Sequence, residues 1–349
     1  MTARGAGVKR RGAPTILDVA EASGLSKSTV SNVIRGAGSV SAETRRRVLE
    51  VVADLGYRPN ALARNLVQQR TSTIGIVVGD LSNPVYSELA KLVEQRASDM
   101  GFSAMICNTD GHTPSEAARI ESLLEHRVAG IVMLQFSGEG AIVGELREQG
   151  VPLTVVSCWV EHTDCVSIDD TVGAELAVDH LIELGHRRIA YLSSGLVEAK
   201  TDGFRFEGYR RALDHGGLEM GEELVLRSEE PPYLRSDRDL QADVERVLGG
   251  HDPPTAFFVS NDLVAVDLIE TLEEGGVQVP ADVSVVGFDD IAIAGLARVS
   301  LTTVVQPRDE LARLGMELLM RRIEGGDSLP LKQVRLEPVL VVRSSTRRP

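Results

Sequence analysis

No stretch of this 349-residue chain approaches the roughly 18 uninterrupted apolar residues that a membrane-spanning helix requires. The N-terminal segment is not expected to be a secretory leader. The opening MTARGAGVKRRGAP is cationic, but no apolar run and no small-residue cleavage site follow it, so residues 1–14 read as a flexible extension. Cysteine is scarce: three residues, an odd number without framework spacing, exclude a disulfide scaffold and fit a reducing cytoplasm. Catalytic signatures are lacking too. SGEGAIVG has its glycines at the wrong spacing for a dinucleotide fingerprint, and no G-x-S-x-G elbow or phosphate-binding glycine loop occurs. CWVEHTDC gathers Cys158, His162 and Cys165, but no fourth ligand is evident, and a surface loop carrying a buried cysteine is the simpler reading. No catalytic residue, metal or cofactor is expected.

What is present is the composition of an ordinary soluble protein, 43% hydrophobic and 25% charged, long enough for two or three domains with substantial cores. The net charge of −14 conceals a division. Residues 1–70 hold 12 Lys and Arg against 5 Asp and Glu, a balance of +7; the remainder holds 25 against 46, a balance of −21. A compact basic block on an acidic body suggests that the block alone meets a polyanion.

Within that block, Ile16, Val19 and Ala20 form one apolar stripe and Val30, Val33 and Ile34 a second. Gly24 lies between them, where a chain reversing from helix to helix needs a residue tolerant of positive φ. Ser26 can cap the second helix by accepting a backbone N–H at Ser28 or Thr29. Ser41 announces a third helix, with Val48, Val51, Val52 and Leu55 on one face and Gly56 at its end. Three short helices around one small core predict a helix-turn-helix domain over residues 15–58. The outer face of its second helix offers Ser26, Lys27, Ser28, Thr29 and Asn32 without a carboxylate, which suits donation to phosphates and base edges in a major groove.

Residues 59–72 form a linker in which Asn60 can cap a short helix too small to hold alone in water, one that orders when DNA holds it. Leu62 and Leu66 are oddly apolar there, fitting either a wedge between base steps or packing between domains or subunits. From residue 73 to 349 the texture becomes alternating buried strands and amphipathic helices in two series, which predicts parallel sheets in two similar lobes. Ligands in such architectures bind beyond the carboxyl ends of strands. Tyr86, Trp159, Asp169, Asn261, Asp262, Asp289 and Asp290 follow or end those runs and Arg205 lies in the GFRFEGYRRAL segment, a set suited to a polyhydroxylated ligand with a ring covering its apolar face. The bland alternative for the acids is helix capping, most credible for Asp170 and Asp262.

The run ILDVAEASGLSKSTVSNVIRG, the SAETRRRV start of the third helix, LGYRPN and ARNL resemble the lactose-repressor (LacI) family of bacterial transcription regulators. The resemblance extends from about Thr15 to Val342. It implies an all-α helix-turn-helix DNA-binding domain plus an α/β, two-lobed, periplasmic-binding-protein-like effector and dimerisation domain with parallel sheets. It also implies a homodimer on a pseudo-palindromic operator in double-stranded DNA. Lys27, Ser28 and Asn32 fall at base-reading positions and Leu66 at the minor-groove wedge, with Thr15, Arg35, Tyr57, Asn60 and Arg64 as further DNA contacts. Arg205, Asn261 and Asp289 fall on effector-binding positions, Tyr86, Trp159 and Asp169 on further cleft positions, and Tyr233 where relatives place another aromatic. The segment from Val304 to Leu331 would return to the first lobe before KQVRLEPVLVV completes the second. The expectation is a cytoplasmic, nucleoid-associated, effector-responsive regulator, a repressor whose small ligand is a sugar in preference to a purine. A solute-binding protein or a ligand-binding activator is the rival, the former opposed by the basic block.

Overall fold

A computed structural model describes residues 14–34, 40–57, 71–110, 113–134, 141–193, 200–227, 237–326 and 328–349. The chain divides into two compact units, residues 1–71 and 72–349.

In the first unit, α1 (Ile16–Ser23), α2 (Lys27–Ile34) and α3 (Ala42–Leu55) close around Val19, Ala20, Val30, Val33 and Val48. Thr15 caps α1 in a reciprocal box with Asp18, and Gly24 ends it at φ 63°, a left-handed turn open to a residue without Cβ. Ser26 accepts the Thr29 N–H at 3.1 Å, and Ser41 accepts that of Thr44 at 3.2 Å. One expectation is corrected: Leu55, assigned to the core face of α3, is exposed, because the last turn runs past the small core.

The second unit holds two six-stranded sheets. The first has the order β11-β5-β4-β3-β1-β2, with β1 (Thr73–Val78), β2 (Ser103–Asn108), β3 (Ile131–Leu134), β4 (Leu153–Val156), β5 (Asp164–Ile168) and β11 (Gln333–Leu336). The second has the order β12-β10-β9-β8-β6-β7, with β6 (Ile189–Leu192), β7 (Val225–Leu226), β8 (Ala256–Val259), β9 (Ser284–Asp289), β10 (Thr302–Val305) and β12 (Val339–Val341). The two orders are copies of one doubly wound topology, so the two series seen in the sequence are two lobes. All first-sheet pairings are parallel; in the second, β10–β12 alone is antiparallel. Central strands such as β3, β4 and β8 are buried along their whole length, which is why they read as continuous apolar runs rather than alternations.

Helices α4 (Pro84–Asp99), α5 (Thr113–Glu125) and α6 (Ala141–Glu148) cover the first sheet. Helices α7 (Asp170–Leu184), α8 (Lys200–His215), α9 (Asp237–Leu248) and α10 (Asp262–Glu274) belong to the second lobe. Helix α11 (Arg308–Gly325) returns to the first, packing on α4 and β3–β5. The chain therefore passes between lobes after β5, after β10 and between β11 and β12. The last passage corrects the sequence expectation. KQVRLEPVLVV does not complete the second lobe alone: Gln333–Leu336 pairs with β5 of the first sheet, and only Val339–Val341, beyond Pro338, reaches the second.

Candidate functional site

Two surfaces carry chemistry, one on each unit. In the first unit, Ser26, Lys27 and Ser28 are exposed and Thr29 and Asn32 half-buried, on a helix whose opposite side holds Val30 and Val33 in the core. The Ser26 hydroxyl lies 2.8 Å from those of Ser28 and Thr29, a small cluster of groups able to donate or accept at the N-terminus of α2. An acid-free helix start of this kind favours anions through its unpaired N–H groups. Thr15 is committed to the cap of α1, and Tyr57 packs half-buried against the three-helix core. Arg35, Asn60, Leu62, Arg64 and Leu66 lie outside the described residues, as does Tyr233 of the body.

In the body, α7 begins directly at the first crossover and α8 packs against it so closely that a Cβ at Gly208 would strike the Thr171 carbonyl. That approach sets Arg205 of α8 beside Asp170. Arg205 is 6% exposed; its Nε donates to Asp170 Oδ1 at 2.9 Å and its Nη1 to the Ser260 carbonyl at 2.5 Å. Its Nη2 lies 3.3 Å from Asp289 Oδ1, and the guanidinium sits 3.8 Å over the Phe288 ring centroid. Burial works against the Arg205 charge, but Asp289 and Asp170 outweigh it and hold the group protonated. Burial pushes the Asp170 carboxyl up to about 6, with Arg205 pulling the other way. Asp289 is raised for the same reason, again opposed by Arg205. Tyr86, buried in the first turn of α4, has its hydroxyl raised by burial and then by Asp289, so it stays a neutral donor.

The network continues across the second crossover. Gln306 donates to Asp289 Oδ1 at 2.9 Å and accepts from the Ser157 hydroxyl of the first lobe at 2.9 Å. Arg308 donates to the carbonyls of Asp289 and Asp290 at 2.7 and 2.9 Å and pairs with Glu88 of α4 at 2.7 Å. Asp289 and Asp290 hold positive φ values of 116° and 53°, strained for non-glycine residues and sustained by those bonds.

A second cluster lies beside the first. Asp169 accepts from Val172 N at 3.2 Å and from Arg335 Nη1 at 2.9 Å, and the Arg335 guanidinium stacks 4.0 Å from the Trp159 ring centroid. Trp159 lines two cavities. One, of about 310 Å³, is bounded by Asp169, Asp170, Phe204, Glu207 and Arg335; the other, of about 510 Å³, by Val143, Arg147, Glu161, His162 and Phe204.

The structure thus joins Arg205 and Asp289 in one network, with Tyr86 buried within reach of both charges, and Trp159 and Asp169 in another, while Asn261 caps α10 through Val264 N at 2.9 Å next to the Ser260 carbonyl that Arg205 holds. The capping assignments move by one residue. The caps are Asp169 and Asn261, not Asp170 and Asp262. Asp262 is fully buried, accepting from Ile291 N at 2.9 Å and from the Thr303 hydroxyl at 2.6 Å, and burial followed by Asp289 pushes its carboxyl up to about 8. Ser157, Asp170, Gln306, Arg308 and Arg335 were missed as cleft residues, although Ser157 and Gln306 directly follow strands, Asp170 and Arg308 come within three residues of one, and the strand-end rule could have found those four. Cys158 and Cys165 are buried in the first lobe and His162 is exposed on a loop, and no metal-capable group of three occurs among the described residues.

Residues 15–60 match the family model of bacterial regulatory proteins, lacI family, and residues 178–346 match that of a periplasmic binding protein-like domain. The chain is 34% identical over 310 residues to catabolite control protein A of Priestia megaterium, covering 88% of this chain and 92% of that protein. It is 33% identical over 336 residues to the ribose operon repressor of Escherichia coli strain K12, covering 95% and 99%. Among solved structures, the lac repressor dimer bound to operator and the anti-inducer ONPF superposes with a TM-score of 0.84 at 26% identity, covering 96% of this chain and 100% of that one.

Proposed function

The chain belongs to the lacI family of bacterial regulatory proteins, and from that premise we propose how its two surfaces divide the work of a DNA-binding, effector-responsive repressor. The family is one of regulators rather than enzymes, and no catalytic residue is assigned. No helix among the described residues is long and apolar enough to cross a membrane, and we place the protein in the cytoplasm with the nucleoid.

The acid-free outer face of α2 carries the DNA reading. Lys27, Ser28 and Asn32 read base edges of an operator, while Ser26, Thr29 and the other basic residues of the first unit hold phosphates. A homodimer presents two such faces to a pseudo-palindromic site, and Leu66 wedges a base step. In the body, a small ligand enters between the lobes against Trp159, Asp169 and Asp170. Paired carboxylates and guanidinium groups around an aromatic face suit a sugar's hydroxyls and its apolar ring face better than a purine.

Coupling follows from where the network sits. Asp170 lies at the first crossover, Gln306 and Arg308 at the second, and Arg308 ties Asp289 of one lobe to Glu88 of the other. A ligand that donates hydrogen bonds to Asp170 or Asp289 favours whichever lobe arrangement presents their oxygens best, and operator affinity follows that population.

The test is operator selection from random duplexes with the full chain, followed by titration at two salt concentrations. A selected, two-fold-related site is expected, with specific affinity falling about 10³-fold or more between 50 and 200 mM salt, as for a protein contacting several phosphates. Absence of any sequence preference, or an affinity indifferent to salt, defeats the reading.

A further inference from the structure

The cleft holds two chambers, and their linings differ. The inner chamber, about 310 Å³, has Asp169, Asp170 and Thr171 at the start of α7 and Arg335 of β11 on its wall. The outer chamber, about 510 Å³, has Gly144 and Arg147 of α6 and the loop residues Glu161 and His162. Trp159 of the first lobe and Phe204 of the second bound both. Each volume falls within the range of about 300–1,000 Å³ typical of small-molecule sites, so each has room for one sugar ring.

We propose that the ligand is a neutral saccharide of at least two rings, one ring in each chamber, with its glycosidic link passing between Trp159 and Phe204. This rests on the saccharide reading above and names the ligand's length and charge. Charge decides against an anionic effector. Arg335 is already paired with Asp169 at 2.9 Å and Arg211 with Glu207 at 2.8 Å, so the inner wall presents matched ions rather than a spare cation. Matched ions offer donors and acceptors side by side, which is what vicinal hydroxyls require. The outer wall carries one guanidinium and one carboxylate, Arg147 donating to the His162 carbonyl at 3.4 Å and Glu161 lying 3.9 Å from the His162 ring, so it too has no excess of positive charge. Two aromatic side chains at the junction cover the apolar faces of rings that polar chambers on either side would leave bare. A purine or a monosaccharide fills one chamber and leaves the other to water.

Gly144 supplies the test. A Cβ built there meets nothing within 4 Å, so a side chain can be added to this wall of the outer chamber without a clash at its first carbon. Gly144→Leu also replaces a helix glycine by a better helix former, which favours folding. Calorimetric titration of the full chain would use glucose, galactose and xylose against cellobiose, maltose, lactose, melibiose and xylobiose, with hypoxanthine as the purine probe. At least one disaccharide is expected to bind about tenfold or more tightly than its component monosaccharides. Gly144→Leu should erase that preference, Gly144→Ala should keep it, and thermal melts report whether either variant is misfolded. A monosaccharide or hypoxanthine binding as tightly as every disaccharide overturns the two-chamber proposal while leaving a cleft ligand standing. A preference that survives Gly144→Leu, or a variant that weakens both classes equally, overturns it too. If no probe binds the wild-type chain, the saccharide reading itself fails and takes this inference with it.

Discussion

Asp169 and Asp170 are consecutive carboxylates at one crossover, and the fold uses them oppositely. Asp169 has its side chain 27% exposed; one oxygen caps α7 and the other meets Arg335, itself 46% exposed. Asp170 is turned inward, buried with Arg205 and Asp289. Water screens the first pair, so its Coulomb energy is small. Water is excluded from the second, so its charges depend on protein partners and its integrity matters far more than its net contribution. Asp262 extends the series: it is as buried as Asp170 but holds only an N–H and a hydroxyl, with no cation among its hydrogen-bond partners. The lesson is that a carboxylate's stake is set by depth and partner, not by its place in the sequence.

Removing the buried partner gives the largest effect. Arg205→Ala leaves Asp170 and Asp289 facing each other without a cation, a loss of about 3–5 kcal/mol. Both carboxyls are already raised by burial, so the loss should grow from pH 5 to pH 8 as they are forced to ionise. Urea unfolding at both pH values measures this. A loss under about 1 kcal/mol at pH 8 would place the triad with the surface pair. The family resemblance placed Arg205 and Asp289 at effector-binding positions; the structure also makes them part of the fold, so a lost effector response in such variants must be separated from lost stability.

Asp262 comes next. Its folded carboxyl, at about 8, lies above its ordinary value of 3.8. The folded state therefore binds the proton more tightly, and the stability this provides is complete below about pH 4 and lost as pH rises through about 8. Asp262→Asn keeps the bond to Ile291 N and cannot ionise. It should match wild type near pH 4 and exceed it by several kcal/mol, roughly 5 by linkage, at pH 9, a gap visible in thermal melts across that range. Parallel curves for the two proteins would show that Asp262 is ionised throughout.

The smallest effect belongs to the exposed pair. Arg335→Ala removes a screened ion pair and a cation–π contact, while Asp169 keeps its cap, and should cost no more than about 1 kcal/mol. A loss comparable to that of Arg205→Ala would erase the distinction between the clusters.

Much of this was legible in advance for a local reason. Hydrophobic periods, the left-handed Gly24 and the hydroxyl caps Ser26 and Ser41 act within a turn or two of chain, and the structure has each as expected. The cap assignments at Asp170 and Asp262 slipped by one residue because Asp169–Asp170 and Asn261–Asp262 each offer two capping side chains in a row. Choosing between them depends on Arg205, Ile291 and Thr303, which arrive from elsewhere. Leu55 was misplaced because periodicity gives a face but not where the core beneath it ends.

The sequence by itself determined the basic, acid-free helix face, the two series of buried strands and the strand ends at which ligand chemistry collects. These follow from side-chain type and spacing, which act over short distances along the chain. Only the tertiary structure decided that Arg205 closes on Asp170 and Asp289, that Gln306 and Arg308 bridge the lobes, that β11 and β12 join different sheets, and that Trp159 lines two cavities. Those pairings span tens to more than a hundred residues, as Ser157 with Gln306 and Asp169 with Arg335 do. A polar side chain's partner is fixed by which strands and helices converge around it, and that convergence is a property of the whole core.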